Sequence, residues 1–258
     1  MKKYGLFQDI FHSILSIMIL LFLCQQSQSL YAQKSITFRV SGGYSAVSMN
    51  DPNTDLKDTY NAIKWGKPAI QKPNEINGGF LFSADIMYKP SAFSFGAALH
   101  LLSSKGDLEY ADHAINYKKN YSVKTFELEG VVRYSFVHTN LISTFYQAGA
   151  GCGSGSVIRD GLYEEYANPQ YNVTSKNDVS GSYFAGHIQA GLEFVFHPIR
   201  IGGSAGYRLA NADVLKGPYT ENGTNYGEQP ITNINGQSYK YNFTGVTFGM
   251  HVLYEFGL

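Results

Sequence analysis

From residue 246 to residue 258, large apolar side chains recur at every second position: Val246, Phe248, Met250, Val252, Tyr254, Phe256 and Leu258. Between them stand Thr247, Gly249, His251, Leu253, Glu255 and Gly257. Period-two alternation marks a β-strand whose two faces meet different surroundings. The same alternation predicts eight strands, at 35–48, 78–90, 92–104, 121–137, 141–155, 181–197, 199–210 and 239–257. In the second, Phe80, Phe82, Ala84, Ile86 and Tyr88 share a face. In the third, Phe93, Phe95, Ala97, Leu99 and Leu101 do, and the sixth has Phe184, Ile188, Ala190, Leu192, Phe194 and Phe196. The opposite faces collect the charges: Arg39, Asp85, Glu127, Glu129, Arg133, Glu193, Arg200, Arg208 and Glu255.

The connections alternate as regularly as the faces. Three are hairpin-sized, at "KPSA", "VHTN" and "HPIR", and four are long, at 49–77, 105–120, 156–180 and 211–238. In a soluble sandwich both ends meet the same solvent, so nothing sorts short from long. A barrel crossing a membrane does sort them, with turns on one side and loops on the other. The volumes favour that arrangement too. Turned inward, the apolar face would crowd a core with dozens of large side chains; turned outward, it leaves small and charged groups for a lumen that eight strands make just wide enough to fill. Aromatics also band at two levels. Tyr88, Phe93, Tyr134, Phe136, Phe194, Phe196, Tyr254 and Phe256 lie near the turns, and Tyr44, Phe80, Phe126, Phe184, Tyr207 and Phe243 near the loops.

The front of the chain reads as an export signal. Lys2 and Lys3 precede an apolar run at 14–23, too short to span a bilayer, and "CQQSQS" then turns polar. Cleavage is expected after Ala32, giving a signal peptide at 1–32 and one domain at 33–258. Lipidation at Cys24 is not expected, because "LFL" lacks the small residue that precedes a lipidated cysteine. With Cys24 removed, Cys152 stands alone and no intramolecular disulfide can form. Lys plus Arg number 20 and Asp plus Glu number 20, which gives no pull toward nucleic acid.

On these segments, with "FYQAGAGCGSG" at 145–155, "GHIQAGLEFVF" at 186–196 and the terminal "YEFGL", the chain resembles the eight-stranded outer-membrane β-barrel proteins of Gram-negative bacteria, which include the OmpA transmembrane domain, OmpX and the opacity proteins. The resemblance implies an all-β, antiparallel up-and-down transmembrane barrel with short periplasmic turns and four long extracellular loops. It implies a monomer in the bacterial outer membrane, whose partners are outer-membrane lipid, the barrel-assembly machinery during insertion and an unidentified extracellular ligand. Cell-wall anchoring is not implied, since no OmpA-like peptidoglycan-binding domain is read in the chain.

Three functional classes remain open at this stage. Ion pairing among Arg39, Asp85, Glu127, Glu129, Arg133, Glu193, Arg200, Arg208 and Glu255 would fill the lumen, because an unpaired charge in a confined interior is costly. That favours a structural or surface-interaction protein, whose candidate loop contacts are Tyr60, Trp65, Tyr110, Tyr117, Tyr163, Tyr166, Tyr171, Tyr219 and Tyr226, amphipathic side chains in polar surroundings. A small porin-like channel is the alternative, and a lipid-modifying enzyme the second. His100, His187 and His251 face the lumen at mid-strand without nucleophile or metal-motif spacing, so no catalytic residue, cofactor or metal is expected. Arg39 is expected between Asp85 and Glu255, Glu193 diagonal to Arg200, and Arg133 on one face with Glu127 and Glu129.

Overall fold

A computed structural model describes residues 34–258 apart from positions 48, 68, 213, 234 and 235. The expected signal peptide, with Cys24, lies outside the described residues. Eight antiparallel strands close a ring: β1 (Ser35–Val47), β2 (Gly79–Lys89), β3 (Phe93–Ala111), β4 (Ile115–Thr139), β5 (Ile142–Glu165), β6 (Val173–Phe196), β7 (Ile199–Ala212) and β11 (Gly245–Gly257). Each pairs with its neighbour in the chain, and β11 returns to β1 with Ser35 opposite Gly257 and Val47 opposite Gly245. Closure gives every strand of the ring a hydrogen-bonded neighbour on both sides, which an open sheet cannot do for its outermost strands.

The strands keep the expected parity. Phe80, Phe126, Phe184, Phe248 and Met250 stand outside, while Arg39, Asp85, Glu127, Glu129, Arg133, Glu193, Arg208 and His251 are buried within. The outer apolar band ends at one level on four neighbouring strands, where Leu101 lies opposite Phe126 and Cys152 lies opposite both Leu128 and Phe184. In β4 it runs from Phe126 to Phe136. At roughly 3.3 Å per residue and a tilt near 45° that covers about 25 Å, the hydrocarbon thickness such barrels match.

Beyond this level the segments 105–120 and 156–180, expected as loops, continue as strand. β3, β4, β5 and β6 reach 19, 25, 24 and 24 residues, and their tips are a short turn after Ala111 and a 3-10 turn at Pro169–Tyr171. There the faces exchange character. Lys124, Ser182 and Ser154 point outward, while Tyr121, Val123, Val157 and Val179 are buried inside. Both faces are polar enough along much of this stretch to read as loop, which is why the sequence reading stopped at 104, 121, 155 and 181.

Two other segments expected as loops are folded. Residues 49–77 contain α1 (Asn50–Lys64), which buries Leu56 against the inside of the strand extensions, with Met49, Ile70 and Ile76 beside it. Leu56, Tyr60 and Ile63 are spaced i, i+4, i+7, so a helical period was present beneath the loop-like composition. Asn53 ties the helix to the following chain: its Nδ2 donates to Ile76 O at 3.1 Å, and its Oδ1 accepts from Ile76 N at 2.7 Å. Residues 211–238 contain the hairpin β8 (Gly217–Glu221) and β9 (Thr224–Gln229), turning at Asn222 and Gly223 with φ of 48° and 80°. Asn-Gly is the usual pair for such a left-handed two-residue turn. β8 joins the edge of β6 above the point where β7 ends.

The last expected strand, 239–257, divides into β10 (Tyr241–Asn242) and β11. Tyr241 and Phe243 point inward. Phe243 therefore does not belong to the outer aromatic band; its ring lies 5.4 Å from that of Tyr183 in the mouth core. Its odd number already gave it the inward parity of His251 and Glu255.

A closed ring has no edge from which to unravel. Unheated protein in detergent should therefore migrate differently from boiled protein on a gel. Gly153→Leu should lower the temperature of that conversion, since a Cβ there would sit 2.7 Å from the Tyr183 ring and 2.9 Å from Glu127 Cγ, and overpacking of this kind costs about 1–3 kcal/mol. Identical migration of heated and unheated samples would refute closure.

Candidate functional site

Two places in the barrel gather functional groups: the lumen at the height of the apolar band, and the mouth above it. Near the turns, Glu255 accepts from Lys89 Nζ at 2.7 Å, Arg200 Nη2 at 2.5 Å and Ser35 Oγ at 2.8 Å. Next, Glu193 holds Arg133, accepts from Ser143 Oγ at 3.2 Å and lies 2.9 Å from His251 Nε2, with Arg200 Nη1 at 3.7 Å. Arg39 pairs with Asp85, which also accepts from Gln147 Nε2 at 3.2 Å. The Phe145 ring stacks beneath Arg133 at 3.9 Å and Arg39 at 5.6 Å, an inward aromatic that covers the two guanidinium groups. Toward the mouth, Arg208 forks onto both oxygens of Glu127, donates to Thr125 Oγ1 at 2.8 Å and to Phe243 O at 2.6 Å, and Tyr183 OH donates to Glu127 at 2.7 Å.

All nine charged positions singled out from the sequence thus face the lumen, with partners that match those expected for Arg39 with Asp85 and for Glu193 with Arg200 and differ elsewhere. Arg39 meets Asp85, on the adjacent strand, while Glu255 turns away to Arg200 and Lys89. Arg133 reaches across to Glu193 on β6 rather than along its own strand to Glu129, and Arg208 crosses from β7 to Glu127 on β4. Lys89 was missed, although its parity in the strand 78–90 puts it inside.

Glu129 is the exception. Among the described residues no arginine or lysine lies within 4.0 Å of it; its neighbours are His187 Nδ1, in direct contact, and His100 Nε2 at 3.8 Å. A cavity of about 30 Å³ lies beside these groups, enough to hold water. Gly149 makes the His187 contact possible: a Cβ there would fall 2.4 Å from Glu129 Oε2 and 2.6 Å from His187 Cε1.

In the mouth, Asp55 of α1 receives the hydroxyl of Tyr121 and the Lys119 ammonium at 2.7 Å, clamping the helix to β4. Burial lowers Lys119 and raises Tyr121. Beside this clamp a cavity of about 250 Å³ is lined by Tyr117, Lys119, Arg159, Tyr163, Val173 and Ser175. Burial pushes Tyr117 up to about 12, so it stays a neutral hydroxyl there. Of the loop aromatics singled out from the sequence, Tyr117 and Tyr163 line this cavity, and Tyr60 and Tyr110 pack on the mouth core. Trp65, Tyr166, Tyr171 and Tyr226 are exposed, Trp65 almost completely at 95 %, and Tyr219 lies 5.6 Å from Tyr226, ring to ring. The segment after α1 is tied down by Lys67, whose ammonium lies 2.5 Å from Asp112 and holds that carboxyl well below the usual carboxylate range.

Removing one member of a buried pair strands the other, at a cost of roughly 3–5 kcal/mol. Arg39→Ala should lower the thermal unfolding temperature in detergent, and the double variant Arg39→Met with Asp85→Leu should regain most of the loss. An unchanged or raised temperature for Arg39→Ala would mean that the pair contributes nothing.

No family model matches this chain, and no curated protein matches it. Among solved structures it is similar to Ail, the attachment invasion locus protein of Yersinia pestis, crystallised with the heparin analogue sucrose octasulfate: 12 % identity over 88 % of this chain and 100 % of that one, with a TM-score of 0.37. It is similar to Neisserial surface protein A at 10 % identity over 86 % and 97 %, TM-score 0.37. The outer membrane protease OmpT from Escherichia coli gives 10 % identity over 87 % and 95 %, TM-score 0.24. At these identities and scores the likeness does not bear on ligand, substrate or activity. The chain is an eight-stranded antiparallel β-barrel, charged within and apolar around its lower half.

Proposed function

We infer that this protein is an integral barrel of the bacterial outer membrane that does not conduct and that presents a folded recognition surface outside the cell. The observation that carries this reading is the exchange of faces at the level of Leu101 and Phe126. Below it the exterior is apolar and the lumen ion-paired; above it the exterior is polar and the interior an apolar core capped by α1. Such a chain matches hydrocarbon along one length and water along the other. The turns and both strand ends of the ring then face the periplasm, as the positions of Ser35 and Gly257 beside Lys89 support. Export through a signal peptide cleaved after Ala32, insertion by the barrel-assembly machinery and a monomeric state in lipid complete the reading.

Recognition is assigned to the mouth, where Tyr117 and Tyr163 wall a cavity that also carries Lys119 and Arg159, and where Trp65, Tyr166 and Tyr171 are free to make contact. The strand extensions hold this surface rigidly, so binding would require little ordering of loops. A channel reading draws no support from a lumen whose mid-height cavity is about 30 Å³. An enzymatic reading draws none from any nucleophile with room for a substrate.

Placement can be tested by labelling intact cells with a membrane-impermeant maleimide, in a Cys152→Ser background. Trp65→Cys should label at once, and Leu141→Cys, at a turn, only after the outer membrane is opened. The reverse order, or equal labelling, would overturn the orientation. In planar bilayers the purified protein should give no unitary conductance, whereas reproducible steps would defeat the occluded lumen.

A further inference from the structure

Among the described residues five cations face the lumen at the height of the apolar band, Lys89, Arg39, Arg133, Arg200 and Arg208, and five carboxylates, Asp85, Glu127, Glu129, Glu193 and Glu255. Glu255 takes two of the cations, so Glu129 is left with imidazoles alone. It is only 1 % exposed, and its Oε1 has no hydrogen-bond partner; neither has His100 Nε2. A buried carboxylate without a cation is expensive, and orphaned buried polar atoms call for a physical account.

We propose that His100, Glu129 and His187 form a binding site for a divalent first-row transition metal, with zinc the fitting ion. One ligand atom from each of the three lies within 4.8 Å of the other two, a span that tetrahedral ligands at about 2.0–2.2 Å from a central ion close after small rotamer shifts. Two imidazoles and one carboxylate are a donor set for such ions, and the adjoining cavity of about 30 Å³ has room for a water in the remaining position. The three residues come from β3, β4 and β6, so the site exists only in the closed ring.

The surroundings fix the ligands as metal sites require. Ser83 Oγ lies 2.7 Å from His100 Nδ1. With the Nδ1 proton donated to that hydroxyl, Nε2 keeps its lone pair for the ion. In the metal-free protein His187 donates its Nδ1 proton to Glu129 and accepts at Nε2 from Gln147 Nε2 at 3.3 Å. Loading moves this proton to Nε2, and the Gln147 amide swings away from His187 while keeping its hydrogen bond to Asp85. The ion supplies the positive charge that Glu129 lacks.

The test is to unfold the full chain with a chelator present, refold it into detergent with zinc chloride or without, and measure bound metal per chain by mass spectrometry after gel filtration. Folding of every variant is verified by the shift between heated and unheated samples. About one zinc per chain is expected for the wild type and for His138→Ala, an exposed histidine at the turn end of β4, with cobalt giving visible absorption in place of zinc. His187→Ala and Glu129→Gln should each abolish retention, and Ser83→Ala should weaken affinity by about tenfold or more while leaving the ligands in place. Bound zinc should also raise the unfolding temperature of the wild type and leave that of His187→Ala unchanged. Folded wild type that retains no more zinc than His187→Ala, or zinc lost with His138→Ala, would overturn the proposal.

Discussion

On the outer-membrane reading the surroundings of this barrel change along its axis, and both faces of every long strand must change with them. In hydrocarbon the exterior must be apolar, so the polar half of each alternation turns inward and has to neutralise itself there. In water the requirement reverses, and the inside becomes an ordinary apolar core. β4 shows the switch within one strand: Arg133, Glu129 and Glu127 face inward below, and Val123 and Tyr121 take the same face above. Sealing by α1 and the charge-filled lumen are two answers to one constraint applied at two heights.

The lower half was legible because its alternation is strong. Phe126, Leu128, Val132, Tyr134 and Phe136 against Glu127, Glu129 and Arg133 leave one choice of facing, and a one-residue slip would reverse it. Pairing inside the lumen was less legible. Sequence order gives neighbours on the wall, as for Arg39 and Asp85, but contacts such as Arg208 to Glu127 and Arg133 to Glu193 cross the lumen, and their levels depend on the stagger of the whole ring. The same limit hid the cluster of His100, Glu129 and His187, whose members are 29 and 58 positions apart in the chain and meet only across three strands.

The upper half was harder to read because its signals are local and mixed. Tyr117, Tyr121 and Val123 do alternate, yet Lys119 shares their face and lysines and asparagines fill the other. The helical spacing of Leu56, Tyr60 and Ile63 sat among Asn, Asp and Lys, where composition argued for a loop. Asn222-Gly223 was a hairpin turn in plain view. Each of these became meaningful only once a closed wall stood ready to receive the apolar side of the segment.

The lumen glycines carry a consequence for how such a chain can diverge. Gly149 admits His187 and Glu129, and Gly153 admits Tyr183 and Glu127, so the volume at each level is shared among residues from different strands. A larger side chain at one of these positions is tolerable only where another at the same level becomes smaller. Interior substitutions should therefore accumulate in compensating sets, while the lipid-side residues, each facing a fluid, are free to drift singly among apolar types.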